Sequence, residues 1–217
     1  MTVRTGSHHP QNSLIRLAMT DFKSCQKEML TIDLVWANVF GLLILIPILL
    51  IFALPYYFVW MDKMTLSQLK TFITNFTLLA YILLFIKATI ALFLGILLHE
   101  LIHGIAWAFA AKNGFKSIKF GVLWKMMTPY CHCKEPLQIK HYILGALLPA
   151  IILGIIPGII SIVIGNLYLL LFGVFFTMAA CGDFLVIHLL RNEKRNDWVQ
   201  DHPSEAGCYI YRKALRS

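Results

Sequence analysis

Long apolar stretches alternate with short polar, basic segments along this chain. From Leu34 to Met61 no residue is charged, and at ~1.5 Å per residue a helix of that length exceeds the ~30 Å of a hydrocarbon core, so it should cross with tilt. Pro47 and Pro55 predict kinks within it. A second run, Phe72 to Ala111, is interrupted only by Lys87 and by the group His99, Glu100 and His103. As one helix it would measure ~60 Å. Either it projects beyond the bilayer or it breaks, with Gly95 the weakest point. Tyr142 to Gly182 is again free of charge, and Gly165-Asn166 divides the chain from Tyr142 onward into spans over 142–164 and 167–190.

The 112–141 segment reads differently. Ile118, Phe120, Val122 and Trp124 alternate with Lys119, Gly121, Leu123 and Lys125, a period of two that predicts a half-buried strand. Two uses are open: an exposed edge that holds an unwound substrate by strand addition, or an amphipathic hairpin lying on the headgroups. The expected fold is an all-α membrane protein of about four transmembrane helices, with a short β-hairpin-like segment at 112–141. It comprises three regions: a cytosolic N-terminal segment at 1–33, the transmembrane domain at 34–190 and a cytosolic C-terminal tail at 191–217.

Composition agrees: 59% of the 217 residues are hydrophobic and 14% charged, too apolar for a soluble globular domain. The formal net charge of +8 could suggest nucleic acid, but the basic residues lie between apolar runs, which is a topology signal instead. Lys and Arg number four before the first span, two in 62–71, six in 112–141, none at 165–166 and six after Leu190. This alternation fits four single crossings with both termini in the cytosol, and it argues against a double crossing by Phe72 to Ala111. Residues 1–33 lack the apolar run of a cleavable signal. Cysteines 25, 131, 133, 181 and 208 are odd in number and are expected to be reduced thiols.

Residues 99–103 read His-Glu-Leu-Ile-His. On a helix the two histidines fall at i and i+4 on one face, where both can reach one ion, with Glu100 close enough to activate a water. Ionisable groups at membrane depth must pair or ligate, since each charge costs about 2.5–3.5 kcal/mol at a helix centre on insertion scales. A hydrolytic zinc site takes three protein ligands and leaves one position open. Asp183 is the candidate third ligand: it is the only acid in the last two spans, it matches the histidines in depth, and Gly182 would permit close helix approach. His132, within Cys131-His132-Cys133, is the rival ligand, although no second half of a structural zinc site accompanies it. His188 lies five residues after Asp183, on another helical face, and reads as an interfacial or packing histidine. Without metal, the same groups would form a polar cluster joining helices.

The run His99 to Gly104, the Pro129-Tyr130-Cys131-His132 stretch, Leu148-Pro149-Ala150, Gly182-Asp183 and Asp201-His202-Pro203 resemble a bacterial family of unknown function described as zincin peptidases; the resemblance covers about 85–217. The layout also resembles site-2 proteases, in which one membrane helix bears the histidine pair and a later one supplies an aspartate. That resemblance implies His99, His103 and Asp183 as ligands of one zinc ion per chain and Glu100 as catalytic acid/base. The usual Asn-Pro-Asp-Gly or Leu-Asp-Gly context of the aspartate is here Cys-Gly-Asp-Phe.

The expected function is zinc-dependent hydrolysis of peptide bonds in or near the bacterial cytoplasmic membrane, on its cytosolic side. The partners are the lipid bilayer and a membrane-associated polypeptide, with no nucleic acid. The alternative from another class is a non-catalytic membrane protein, or an accessory subunit, whose metal or polar cluster is structural. Haem is disfavoured, because two histidines one turn apart cannot straddle a porphyrin.

Overall fold

A computed structural model of the chain describes residues 25–31, 34–60, 77–123, 128–202 and 207–213. In chain order the elements are β1 (Cys25–Thr31), α1 (Leu34–Trp60), α2 (Leu78–Ala110), β2 (Ile118–Leu123), β3 (Thr128–Cys133), β4 (Leu137–Gln138), α3 (Ile139–Pro149), a π-helical segment (Ala150–Ile155), α4 (Ile156–Ile164), α5 (Leu167–Ala179), α6 (Cys181–Leu190), β5 (Trp198–Asp201) and β6 (Gly207–Lys213). Four helical segments are long and apolar enough to cross a membrane: Val39–Trp60, Leu78–Ala110, Ile139–Ile164 and Leu167–Leu190. Their outward surfaces are strongly apolar, with Phe109 87%, Phe85 73% and Val163 73% exposed, the pattern of a surface whose solvent is lipid. The protein is an integral membrane protein.

Each of the four has the length for a single crossing. The end of α1 lies against the turn between α4 and α5: Tyr56 Oη donates to Gly165 O at 2.9 Å and Trp60 Nε1 to Ile162 O at 2.8 Å. Gly165 takes φ +72°, the left-handed conformation that closes the turn, and Asn166 caps α5 by accepting from Leu169 N at 3.0 Å. Every described strand lies at the opposite ends of the helices. Gly95 does not break α2, which runs unbroken over 33 residues, ~50 Å of helix. Its glycine serves packing instead, because a Cβ there would stand 2.2 Å from the ring of Phe176 on α5. The third span does carry an irregularity, the π-helical turns between Pro149 and Pro157, where α-helical bonding to a proline nitrogen is impossible. Gly154, Gly158 and Gly173 let the third and fourth spans meet at backbone contact, since a Cβ on Gly173 would lie 2.6 Å from Gly158 N.

The hairpin at 112–141 is present, β2 pairing antiparallel with β3 from Ile118↔Cys133 to Leu123↔Thr128. Ile118 and Phe120 of the alternating set turn toward Gly104 of α2, whereas Trp124 and Lys125 fall outside the described residues. A second sheet, in the order β1-β6-β5-β4, draws on segments that read from sequence only as flanks of the membrane domain. β4 runs directly into α3, so the start of the third span is rooted in this sheet. Beneath both sheets Trp107, Leu137, Ile139, Tyr142, Leu190, Val199, Cys208 and Ile210 form one buried core.

Candidate metal centre

The face of α2 that turns inward is the stripe Gly95, His99, His103 and Trp107, spaced by four, with Gly104 and Ala108 beside it. His99 and His103 are buried at 7% and 3% exposure. Opposite them α6 begins anew after Ala180, and Asp183 occupies its first turn. The His99 Nε2 to Asp183 Oδ2 distance is 3.3 Å, His103 Nε2 to Asp183 Oδ1 is 3.3 Å, and the two Nε2 atoms are 3.2 Å apart. Among the described residues these three form the group of His, Cys, Asp or Glu side chains close enough to share an ion. Gly182 contributes no close approach, since a Cβ there would meet nothing within 4 Å. The helix restart at Ala180, itself fully buried, is what aims Asp183 at α2.

These separations suit a metal. A tetrahedral shell with metal–ligand bonds of about 2.0–2.1 Å has edges of about 3.3–3.4 Å between neighbouring ligand atoms, which is what the three donors present. Hydrogen bonding alone satisfies them poorly. The Nδ1 of His103 lies 3.0 Å from Gly145 O, and a carbonyl only accepts, so the ring proton sits on Nδ1 and the Nε2 lone pair faces a carboxylate and a second imidazole. The buried Nδ1 of His99 has no hydrogen-bond partner among the described residues, and the converging donors suit a cation between them. Two imidazole nitrogens and a carboxylate oxygen are a zinc donor set with a position left open.

The rest of the site is built by α3 and β3. His103 stacks on Trp107 and Trp107 on Tyr142, at centroid distances of 5.0 and 5.1 Å, and Trp107 Nε1 donates to Tyr142 O at 3.2 Å. Gly145 is required by this stack, since a Cβ would lie 2.2 Å from Trp107 Nε1. Glu100 lies within electrostatic reach of both histidines and Asp183, and the main-chain amide of Cys131 on β3 sits in hydrogen-bonding range of its carboxyl. Tyr142 Oη donates to Asp201 Oδ1 at 2.5 Å, and Cys133 N donates to Asp201 Oδ2 at 2.9 Å.

His132 stands with Asp201, Nδ1 to Oδ2 3.8 Å, outside the group of three. Its neighbours are poor ligands as they stand: burial pushes the Cys133 thiol up to about 11, and burial with the Glu100 charge pushes Cys131 up as well, so both stay protonated near neutral pH. His188 is exposed and contacts Arg191. Sequence reasoning gave no role to Gly145 or Tyr142, and quoted Cys131 and Asp201 only within motifs. Trp107 was within reach of it, being one helical turn past His103 on the same stripe; the others are main-chain groups or are joined only by the fold.

A protein-family model described as "Putative zincin peptidase" matches residues 92–198. Over that stretch the chain is similar to this family. It contains the histidine pair, Glu100, the hairpin, Gly145 and Asp183, while β6 and Asp201 lie beyond it. No curated protein and no solved structure matches the chain.

Proposed function

We propose that this chain is a zinc-dependent membrane metallopeptidase that hydrolyses peptide bonds of membrane-associated polypeptides on the cytosolic side. The observation that carries the reading is the set of three donor separations, 3.2, 3.3 and 3.3 Å, among His99, His103 and Asp183. The likeness of residues 92–198 to that family supports the activity. Charge supports the side: the ends of α2 and α6 and the start of α3 open onto the strongly basic segments, whereas 62–71 carries two basic residues and 165–166 none.

His99, His103 and Asp183 would hold the zinc. When bound, zinc supplies a Lewis acid that polarises a carbonyl and lowers the pKa of water toward ~7. Glu100 takes the proton of the attacking water on its carboxylate and returns it to the leaving amine, with the Cys131 amide fixing the carboxylate. His103 keeps its Nε2 toward His99 and Asp183, where the metal would be held, because Nδ1–H is committed to Gly145 O. The apolar surround of α2 and α3 limits water around the carboxylate and strengthens each of these interactions.

A helical peptide bond is shielded, so the substrate must present an extended segment. β3 offers an edge for one: Cys131 and Cys133 turn their amides away from β2, toward Glu100 and Asp201, and the carbonyls of that edge can accept from an added strand. The test is cleavage of a single-span polypeptide reconstituted with the zinc-loaded protein in liposomes. Cleavage by the wild type, abolished by a chelator and restored by zinc, is expected. Absence of cleavage for both this polypeptide and a soluble peptide library would overturn the reading.

A further inference from the structure

Outside the three donors and Glu100, a largely buried carboxylate joins separate elements: Asp201, at the end of β5 and beyond the stretch the family model matches. Only 13% of its side chain is exposed. Its two oxygens serve different partners. Oδ1 accepts from Tyr142 Oη, and Tyr142 stacks on Trp107, which stacks on His103. Oδ2 accepts from Cys133 N, two residues from the Cys131 amide that meets Glu100. One carboxylate thus touches the chain of contacts behind the metal ligands and the strand behind the acid/base.

We infer that Asp201 is a positioning residue: it couples the four-stranded sheet to the metal centre and sets the register between the histidine face of α2 and the β3 amide on Glu100. The inference rests on the metallopeptidase reading for what is being positioned. Its physical basis is that a buried carboxylate accepting two hydrogen bonds from different elements fixes their separation, and that losing it leaves two donors unsatisfied. Partners that orient a ligand in this way change metal affinity by about 10–100-fold when removed. Tyr142 is the arm toward the metal and Cys133 the arm toward β3. Asparagine can reproduce both contacts, its oxygen accepting from Cys133 N while its amide donates to the tyrosine oxygen. Alanine reproduces neither.

The experiment measures zinc affinity of the purified full chain in detergent, by competition with a chelator, together with hydrogen exchange of the 128–135 segment. Asp201→Ala should weaken zinc about tenfold and speed exchange in β3. Asp201→Asn should return both to within about threefold of the wild type, a rescue that a charge effect would not give. Tyr142→Phe should weaken zinc while leaving β3 protected, which separates the two arms within folded protein. Wild-type zinc affinity in Asp201→Ala, or Asp201→Asn as damaging as alanine, overturns the inference. If the wild type itself binds no zinc, it is the metallopeptidase reading that fails, and unchanged protection of 128–135 in Asp201→Ala then removes the link to β3.

Discussion

His103 and Gly145 meet through a 3.0 Å hydrogen bond from the imidazole Nδ1 to the main-chain oxygen. The bond joins α2 to α3 and fixes which nitrogen faces Asp183. It exists because position 145 has no side chain: Trp107 lies where a Cβ would be, held between His103 and Tyr142 and tied to Tyr142 O. Gly145→Ala should therefore cost about 1–3 kcal/mol of stability through overpacking and reduce zinc occupancy, because the indole can yield only by displacing His103 or Tyr142. Thermal unfolding and metal content measured together check this. An alanine variant that retains both would show that the stack is slack.

Gly95 makes the parallel prediction one helical turn before His99. A Cβ there meets the fully buried Phe176 ring at 2.2 Å, so Gly95→Ala should destabilise by about 1–3 kcal/mol and separate α2 from α5. The complementary Phe176→Leu in the same chain should recover part of the loss. A double variant no more stable than Gly95→Ala alone would argue against that contact.

Glu100→Gln should keep one zinc per chain while lowering turnover about 10²–10⁴-fold, the usual contribution of a positioned acid/base. Glutamine keeps the shape and the contact with the Cys131 amide but cannot carry the proton. Metal analysis and peptide hydrolysis on one preparation are the measurements. Retained turnover would assign the proton transfer to another group.

Much of this arrangement is legible in the chain. The apolar runs give four crossings, the spacing of 95, 99, 103 and 107 gives one inward stripe, and the alternation of Ile118 and Phe120 gives a strand against α2. What escaped is what depends on long-range pairing. β1 and β6 pair across the whole length of the protein, and neither carries a local signal that names its partner. Gly182 was credited with a close approach that it does not make, since a Cβ there would meet nothing within 4 Å. Asp201 and Gly145 act through a carboxylate and a main-chain oxygen, and only the fold brings them to His103 and Cys133.

The sheet makes a prediction about acid. The Arg212 guanidinium beside Glu193, at 2.6 Å and 2.9 Å, holds that carboxyl below its usual value of 4.5. A depressed folded-state value adds stability that is present above about 4.5 and lost as pH falls through the folded value. The pair is partly exposed, so the effect should be small and weakened by salt. Unfolding midpoints followed from about pH 6 to pH 3 should fall less steeply for Glu193→Gln than for the wild type. Parallel slopes at low salt would exclude this pair as a contributor.

The central claim is that His99, His103 and Asp183 hold one metal ion. The direct measurement is zinc per chain in protein purified without added metal, for the wild type and for His99→Ala, His103→Ala and Asp183→Ala, each shown to be folded. About one zinc in the wild type and a loss of occupancy in all three variants is the predicted result. Stoichiometric zinc that survives removal of Asp183, or a folded wild type that takes up none, would contradict it.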